Sequence, residues 1–170
     1  MSSVDVKEIT LEELMHIREL SNVNGSEKSE SYWQRCAEGI ADGSLQIFMA
    51  WRDDDPAGYA LLNHQPKYRV YQQLEISEIQ DLNVIPAHRR QGVAAVLIHA
   101  CEEVIRKRNC TQIGISFGLT KDYGPAQRLY IKLGYVPDGF GVTYDRIGVG
   151  HAEMRPVDDD LCLMLIKDLT

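Results

Sequence analysis

The sequence predicts an α/β (α+β) fold, a mixed and mostly antiparallel central sheet with helices on both faces. Three observations point there. Alternating and continuous apolar runs of strand length are interleaved with segments of helical period. The chain has 170 residues, which suits one domain, and a chain of that length buries about two thirds of the surface its unfolded form exposes. The stretch "HRRQGVAAVL" (88–97) sets two arginines beside a lone glycine where a helix begins, in a chain of formal net charge −7.

The elements follow in order. "VDVKEI" alternates apolar and polar residues and reads as a first strand. Thr10 with Glu13 three positions on forms a candidate capping box for a first helix, striped by Leu11, Leu14, Ile17 and Leu20. "SNVNGSEKSES" is a polar loop. A second helix spans Ser29 to Asp42, with Trp33, Cys36, Ala37 and Ile40 at helical spacing, and Gly43 stops it. "SLQIFMAWR" and "PAGYALLNH", joined at "DDDP", predict a β-hairpin.

A further strand is expected from Leu74 to Val84, ended by Pro86. The helix after the arginines spans Gly92 to Arg108, with Arg106, Lys107 and Arg108 at the end where the helix dipole favours cations. "TQIGISFG" is the next strand, followed by a helix from Gly124 to Leu133 closed by Gly134. An additional strand is expected near Phe140 to Tyr144, and "DLCLMLIKDL" is the last.

Composition excludes several classes. Hydrophobic residues make up 44% and charged residues 25%, both ordinary for a globular protein. No apolar run approaches the roughly 18 residues of a membrane-spanning helix. The N-terminus lacks a signal-peptide profile. A pI near 5.2 argues against nucleic acid as a partner and suits a cationic substrate. Cys36, Cys101, Cys110 and Cys162 have no metal-ligand spacing, no two histidines are spaced as a metal pair, and the expectation is no metal, with reduced thiols in a cytoplasm.

A strand, a turn and a helix starting at Gly92 aim unpaired backbone N–H groups at one point, a geometry that binds phosphate. Gly92 and Ala94 allow close backbone approach, and Arg89 and Arg90 add fixed charge for a diphosphate. The other reading is a solvated basic turn before an ordinary helix.

Arg89, Gly92 and Ala94 fill the pattern Gln/Arg-x-x-Gly-x-Gly/Ala, preceded by "DLNV" and a proline. A second block, "GPAQRLYIKLGYVPDG", carries Ala126, Leu129, Tyr130, Lys132, Gly134 and Tyr135. Together, over residues 75–140, they resemble the GCN5-related N-acetyltransferase (GNAT) superfamily. The resemblance implies a single domain over residues 1–170 that takes acetyl-CoA as cosubstrate. Backbone amides of Gln91, Gly92, Val93 and Ala94 would hold the pyrophosphate, and Leu82 and Val84 would pair with the pantetheine arm. Tyr123, also a cofactor-binding candidate, stands where many members carry an Asn that helps bind the cofactor, a departure from the family pattern.

Acetyl transfer needs an amine that loses a proton, a polarised thioester carbonyl and a proton for the leaving thiolate. The resemblance gives Tyr130 the last role; core packing is its alternative. Glu78 aligns with a strand carboxylate that some members use as base. Asp81, three residues on, would face elsewhere in a regular strand unless a bulge changed the parity. Tyr32, Trp33, Tyr68 and Tyr71 are candidates for the acceptor pocket, with Tyr144 and the acidic run Asp158–Asp160 as weaker pointers. Aromatic residues beside acids suit a cationic amine.

The resulting expectation is transfer to a primary amine of a small molecule by direct attack in a ternary complex. A peptide or protein N-acetyltransferase and a non-catalytic acyl-CoA-binding module are the alternatives. A homodimer formed by exchange of a C-terminal strand or helix is compatible with the sequence.

Overall fold

In a computed structural model that describes residues 3–170, the chain forms eight strands and five helices of more than one turn. It divides into two compact units. One takes the chain to His64 together with Ile79–Val104; the other comprises Gln65–Glu78 and Ile105–Thr170.

The first unit carries strands in the order β1 (Val4–Glu8), β2 (Leu45–Arg52), β3 (Asp55–Asn63) and, from Ile79 on, β4 (Ser77–Val84). β1 and β2 are antiparallel with Val4 opposite Arg52. The acidic turn predicted between β2 and β3 is a two-residue hairpin: Asp53 and Asp54 both have positive φ (50° and 67°) and Arg52 pairs with Asp55. Two left-handed residues match the twist of the flanking strands. β2 and β3 are apolar on both faces. Ile47, Met49, Tyr59 and Leu61 pack with Ile17, Leu20, Trp33 and Cys36 in one cluster. Phe48, Ala50, Ala60 and Leu62, of opposite parity, are buried as well. Burial on both faces is what a covered sheet requires.

The helices of that cluster begin where the sequence indicates. The Glu13 carboxylate accepts the Thr10 N–H at 2.8 Å, and a short 3-10 turn leads into α1 (Leu14–Val23). Ser29 caps α2 (Glu30–Asp42): its Oγ accepts the Tyr32 N–H, and Gly43 ends the helix with φ 79°.

The second unit carries the order β5 (Gln112–Gly118), β8 (Leu161–Asp168), β6 (Val136–Tyr144), β7 (Ile147–Gly148). β8 is antiparallel to both β5 and β6. The β6–β8 register shifts between Pro137 and Val142, where Gly139 and Gly141 have positive φ. Asp145 and Arg146 form the left-handed β6–β7 turn.

Three expectations change in detail. The strand near Phe140 begins earlier, at Val136, and β7 follows it. β4 begins at Ser77 rather than Leu74, because Arg69–Leu74 forms a short helix, α3, in a segment read as connection and strand. Tyr71 anchors α3. Its hydroxyl donates to the carbonyls of Leu165 (2.5 Å) and Ile115 (3.3 Å), and its ring lies where a Cβ on Gly114 would stand. α4 (Val93–Lys107) and α5 (Gly124–Lys132) fall within the predicted spans.

Candidate active site

In the first unit the basic stretch forms a tight turn between β4 and α4. Pro86–His88 makes one 3-10 turn, Arg90 is left-handed (φ 59°), and Gly92 has φ 84°. A Cβ at Gly92 would meet nothing within 4 Å, so backbone conformation rather than contact within the protein requires glycine there. The first i→i−4 bond of the helix runs from Val96 N–H to Gly92 C=O. The amides before it have no acceptor within the helix, as at any helix start, and Arg90, Gln91 and Gly92 around them are exposed.

The two arginines differ. Arg89 is exposed but folds back along the surface: Nε donates to the Val84 carbonyl at 3.1 Å and Nη2 to Asn24 Oδ1 at 3.2 Å. It clamps the turn to the end of β4 and to the residue after α1. Gln91 closes the turn on itself by donating to the Ala87 carbonyl. Leu82 and Val84 are half-buried on β4.

Asp81 lies within β4 with a left-handed backbone, φ 47°. A left-handed aspartate inside a strand breaks the alternation of faces, so Asp81 does not obey the parity of a regular strand. Its carboxylate is 16% exposed. Oδ2 accepts the Tyr32 hydroxyl at 2.5 Å and the Tyr59 hydroxyl at 3.4 Å. Oδ1 accepts Asn83 Nδ2 at 2.9 Å and lies 3.4 Å from Lys28 Nζ. Burial, reinforced by the Asp81 charge, pushes the Tyr32 and Tyr59 hydroxyls well above the ordinary phenol range. Burial also raises the Cys36 thiol, to about 11.

Asn83 ties this cluster to the basic turn. Its Oδ1 accepts Asn24 Nδ2 at 2.8 Å, and Asn24 Oδ1 accepts Arg89. One run of side-chain hydrogen bonds thus connects Arg89, Asn24, Asn83, Asp81 and Tyr32. Close packing holds the strand behind it: a Cβ on Gly58 would stand 2.4 Å from the Asn83 carbonyl oxygen.

In the second unit Glu78 is wholly buried, and its Oε1 accepts Arg146 Nη2 at 2.9 Å and Nε at 3.2 Å. Burial draws the Arg146 pKa down, and the Glu78 charge and hydrogen bonds, with smaller contributions from Cys162 and Tyr71, together more than offset it, leaving the guanidinium above its ordinary value. Tyr130 is 6% exposed, with its ring 6.4 Å from those of Phe117 and Tyr135. Burial raises its hydroxyl above the usual phenol range. The Tyr123 hydroxyl donates to Asp159 Oδ1 at 3.1 Å; burial and that carboxylate raise it to about 12. The Tyr123 ring fills the space of a Cβ on Gly118.

The acceptor-pocket candidates separate. Tyr32 stands in the Asp81 cluster. Trp33 packs edge-on against Tyr32 but belongs to the apolar core. Tyr71 is a core residue, and Tyr68 packs edge-on against it while donating to Asp138 Oδ2 at 2.7 Å. Tyr144 donates to Asp158 Oδ2 at 2.8 Å. Sequence reasoning missed Lys28, Tyr59, Asn83 and Asn24 around Asp81, and Arg146 on Glu78. Only Asn83 carried a local signal, two residues from Asp81 in "DLNV". Among the described residues no group of His, Cys, Asp or Glu is arranged to hold a metal.

Residues 11–135 match the Acetyltransferase (GNAT) family. The chain belongs to the GNAT acetyltransferase family. As a member, this acetyltransferase is an enzyme of acyl transfer from acyl-CoA. Among curated proteins none matches it by sequence. Solved structures share its fold at low identity. The ribosomal-protein-alanine N-acetyltransferase of Brucella melitensis superposes with a TM-score of 0.69 at 16% identity, over 97% of this chain and 99% of that one. The spermidine/spermine N-acetyltransferase SpeG of Vibrio cholerae gives 0.68 at 16%, over 98% and 95%. The IAA acetyltransferase of Bacillus cereus ATCC 14579 gives 0.66 at 16%, over 98% and 100%. The acetyltransferase has no helix long and apolar enough to cross a membrane among its described residues.

Proposed function

We propose that this chain transfers the acetyl group of acetyl-CoA to a primary amine of a small molecule, by direct attack within a ternary complex. The observation that carries the reading is the Asp81 carboxylate at a left-handed residue of β4, fixed by two tyrosine hydroxyls and already paired with one ammonium, that of Lys28. That is the chemistry needed to hold a protonated amine and accept its proton.

Acetyl-CoA supplies an acetyl group activated as a thioester. The amides of Gln91, Gly92, Val93 and Ala94 hold its pyrophosphate, helped by Arg90, while Arg89 fixes the turn that presents them. The glycine conformation at residue 92 and the amides ahead of the first helical bond support this fit. Leu82 and Val84 offer backbone groups to the pantetheine arm; Arg89 already draws on the Val84 carbonyl. Tyr123 takes the place of the family's asparagine. Tyr130, kept protonated by burial, gives its proton to the departing thiolate.

Asp81, rather than Glu78, is the group that meets the amine. Glu78 is wholly buried and committed to Arg146, which suits a structural pair. Tyr32 lines the acceptor side. Trp33 and Tyr71 serve the core, and Tyr68 braces Asp138. Net charge −7 favours a cationic acceptor. Four free thiols suit a reducing cytoplasm.

The test is thiol release from acetyl-CoA with the purified chain and a panel of small primary amines and N-terminal peptides, with products weighed by mass spectrometry. Acetylated small amines are expected. Acetylation confined to peptides would move the chain to a peptide acceptor, and CoA release without an acetylated product would sink the reading.

A further inference from the structure

Lys28 lies in the loop between α1 and α2, far in sequence from β4. Its Nζ stands 3.4 Å from Asp81 Oδ1 and 5.4 Å from the centre of the Tyr32 ring. The same ring's hydroxyl holds the other carboxylate oxygen at 2.5 Å, with Tyr59 on that oxygen as well. One oxygen is thus given to phenol donors, and the other to Asn83 and an ammonium. A carboxylate beside an aromatic face is the pairing that recognises an alkylammonium. The left-handed backbone at Asp81 and the Asn83–Asn24 bond hold the carboxylate in this pose.

An ion pair of this kind is weak where water reaches it, and the Lys28 side chain is about a third exposed, 31%. The lysine therefore holds the position without sealing it. We infer that Lys28 Nζ occupies the place of the acceptor's ammonium, and that the acceptor is a primary amine on an unbranched alkyl chain that displaces it. The inference rests on the reading of Asp81 as the group that meets the amine. The occupant itself defines the ligand class, a primary ammonium on a flexible apolar stem. A resident competitor lowers apparent affinity by the fraction of time it is bound.

The experiment compares the full chain with Lys28→Met, which keeps the stem and removes the charge, and Lys28→Arg, which keeps a cation. n-Butylamine and 1,5-diaminopentane are titrated by calorimetry, and their KM is measured by thiol release. Lys28→Met should tighten Kd and lower KM about five-fold, the upper range for a partly exposed ion pair. Lys28→Arg should stay near the wild-type values. Unchanged or weakened amine binding in Lys28→Met overturns the inference, as does identical behaviour of the two variants. Calorimetry separates this from failure of the transfer reading. Tighter amine binding in Lys28→Met without turnover keeps the ammonium site and sinks acetyl transfer to these amines. Turnover with an unmoved Kd does the reverse.

Discussion

Arg146→Met would remove the guanidinium that makes two hydrogen bonds to Glu78 Oε1 and leave the fully buried carboxylate without that partner. Breaking a buried pair by deleting one side costs about 3–5 kcal/mol. The Arg146 side chain is 23% exposed, so water reaches part of the gap and the lower end applies, about 3 kcal/mol. For a chain of this size each kcal/mol moves the melting temperature by about 2–4 °C, which gives a loss of about 6–12 °C. Calorimetric melts at pH 7 of the wild type, Arg146→Met, Glu78→Gln and the double variant close the cycle. The double variant should recover much of the loss, because it no longer buries a charge. Turnover per folded molecule of Arg146→Met should stay within a few-fold of wild type if Glu78 is structural. A single variant that melts within 2 °C of wild type, or a double variant no better than it, would refute the buried-pair argument.

Other predictions concern the phosphate turn, the proton donor and alkaline pH. Gly92→Val places a branched side chain at φ 84° and costs about 1–2 kcal/mol of strain. It meets no protein atom within 4 Å of its Cβ, so the variant should fold yet lose the rise in melting temperature that acetyl-CoA gives the wild type; an unchanged rise would remove the turn from the cofactor site. Tyr130→Phe should lower kcat roughly 10²- to 10⁴-fold with little change in acetyl-CoA affinity. Normal turnover would return Tyr130 to core packing. The hydroxyls of Tyr32, Tyr59, Tyr71 and Tyr130 are all raised by burial, so their protonated forms are favoured in the fold. Their contribution is complete below the unfolded tyrosine value of about 10 and is lost as pH rises beyond it. Melting temperature should therefore fall steeply above about pH 10, and a flat profile to pH 11.5 would contradict the burial of these phenols.

Where local chemistry decides local structure, the sequence was readable. Ser29 and Gly43 bound α2 because a side-chain acceptor and a left-handed glycine are what helix ends need. The turn before α4 was readable because one glycine with positive φ leads into a strong apolar stripe. α3 was not, since its six residues owe their helix to distant partners of Tyr71, the carbonyls of Ile115 and Leu165, and it ends at Glu75 in a left-handed pose that favours no glutamate. The site was half readable for the same reason. Asp81 and Glu78 stand three apart on one strand, and their difference comes from Tyr32, 49 positions away, and Arg146, 68 positions away. The left-handed backbone at Asp81 lies in "EIQDLNV", which contains neither glycine nor proline.

The central claim is that Asp81 receives the amine while Glu78 only supports the scaffold. The most direct measurement is the pH profile of kcat/KM for a small primary amine in Asp81→Asn and Glu78→Gln, each corrected for the folded fraction. Asp81→Asn should lose roughly 10²-fold or more in kcat/KM across the profile, as expected on removing a general base. Glu78→Gln should keep the wild-type profile with a lower melting temperature. The opposite pattern, with Glu78→Gln inactive and Asp81→Asn near wild type, would contradict the account.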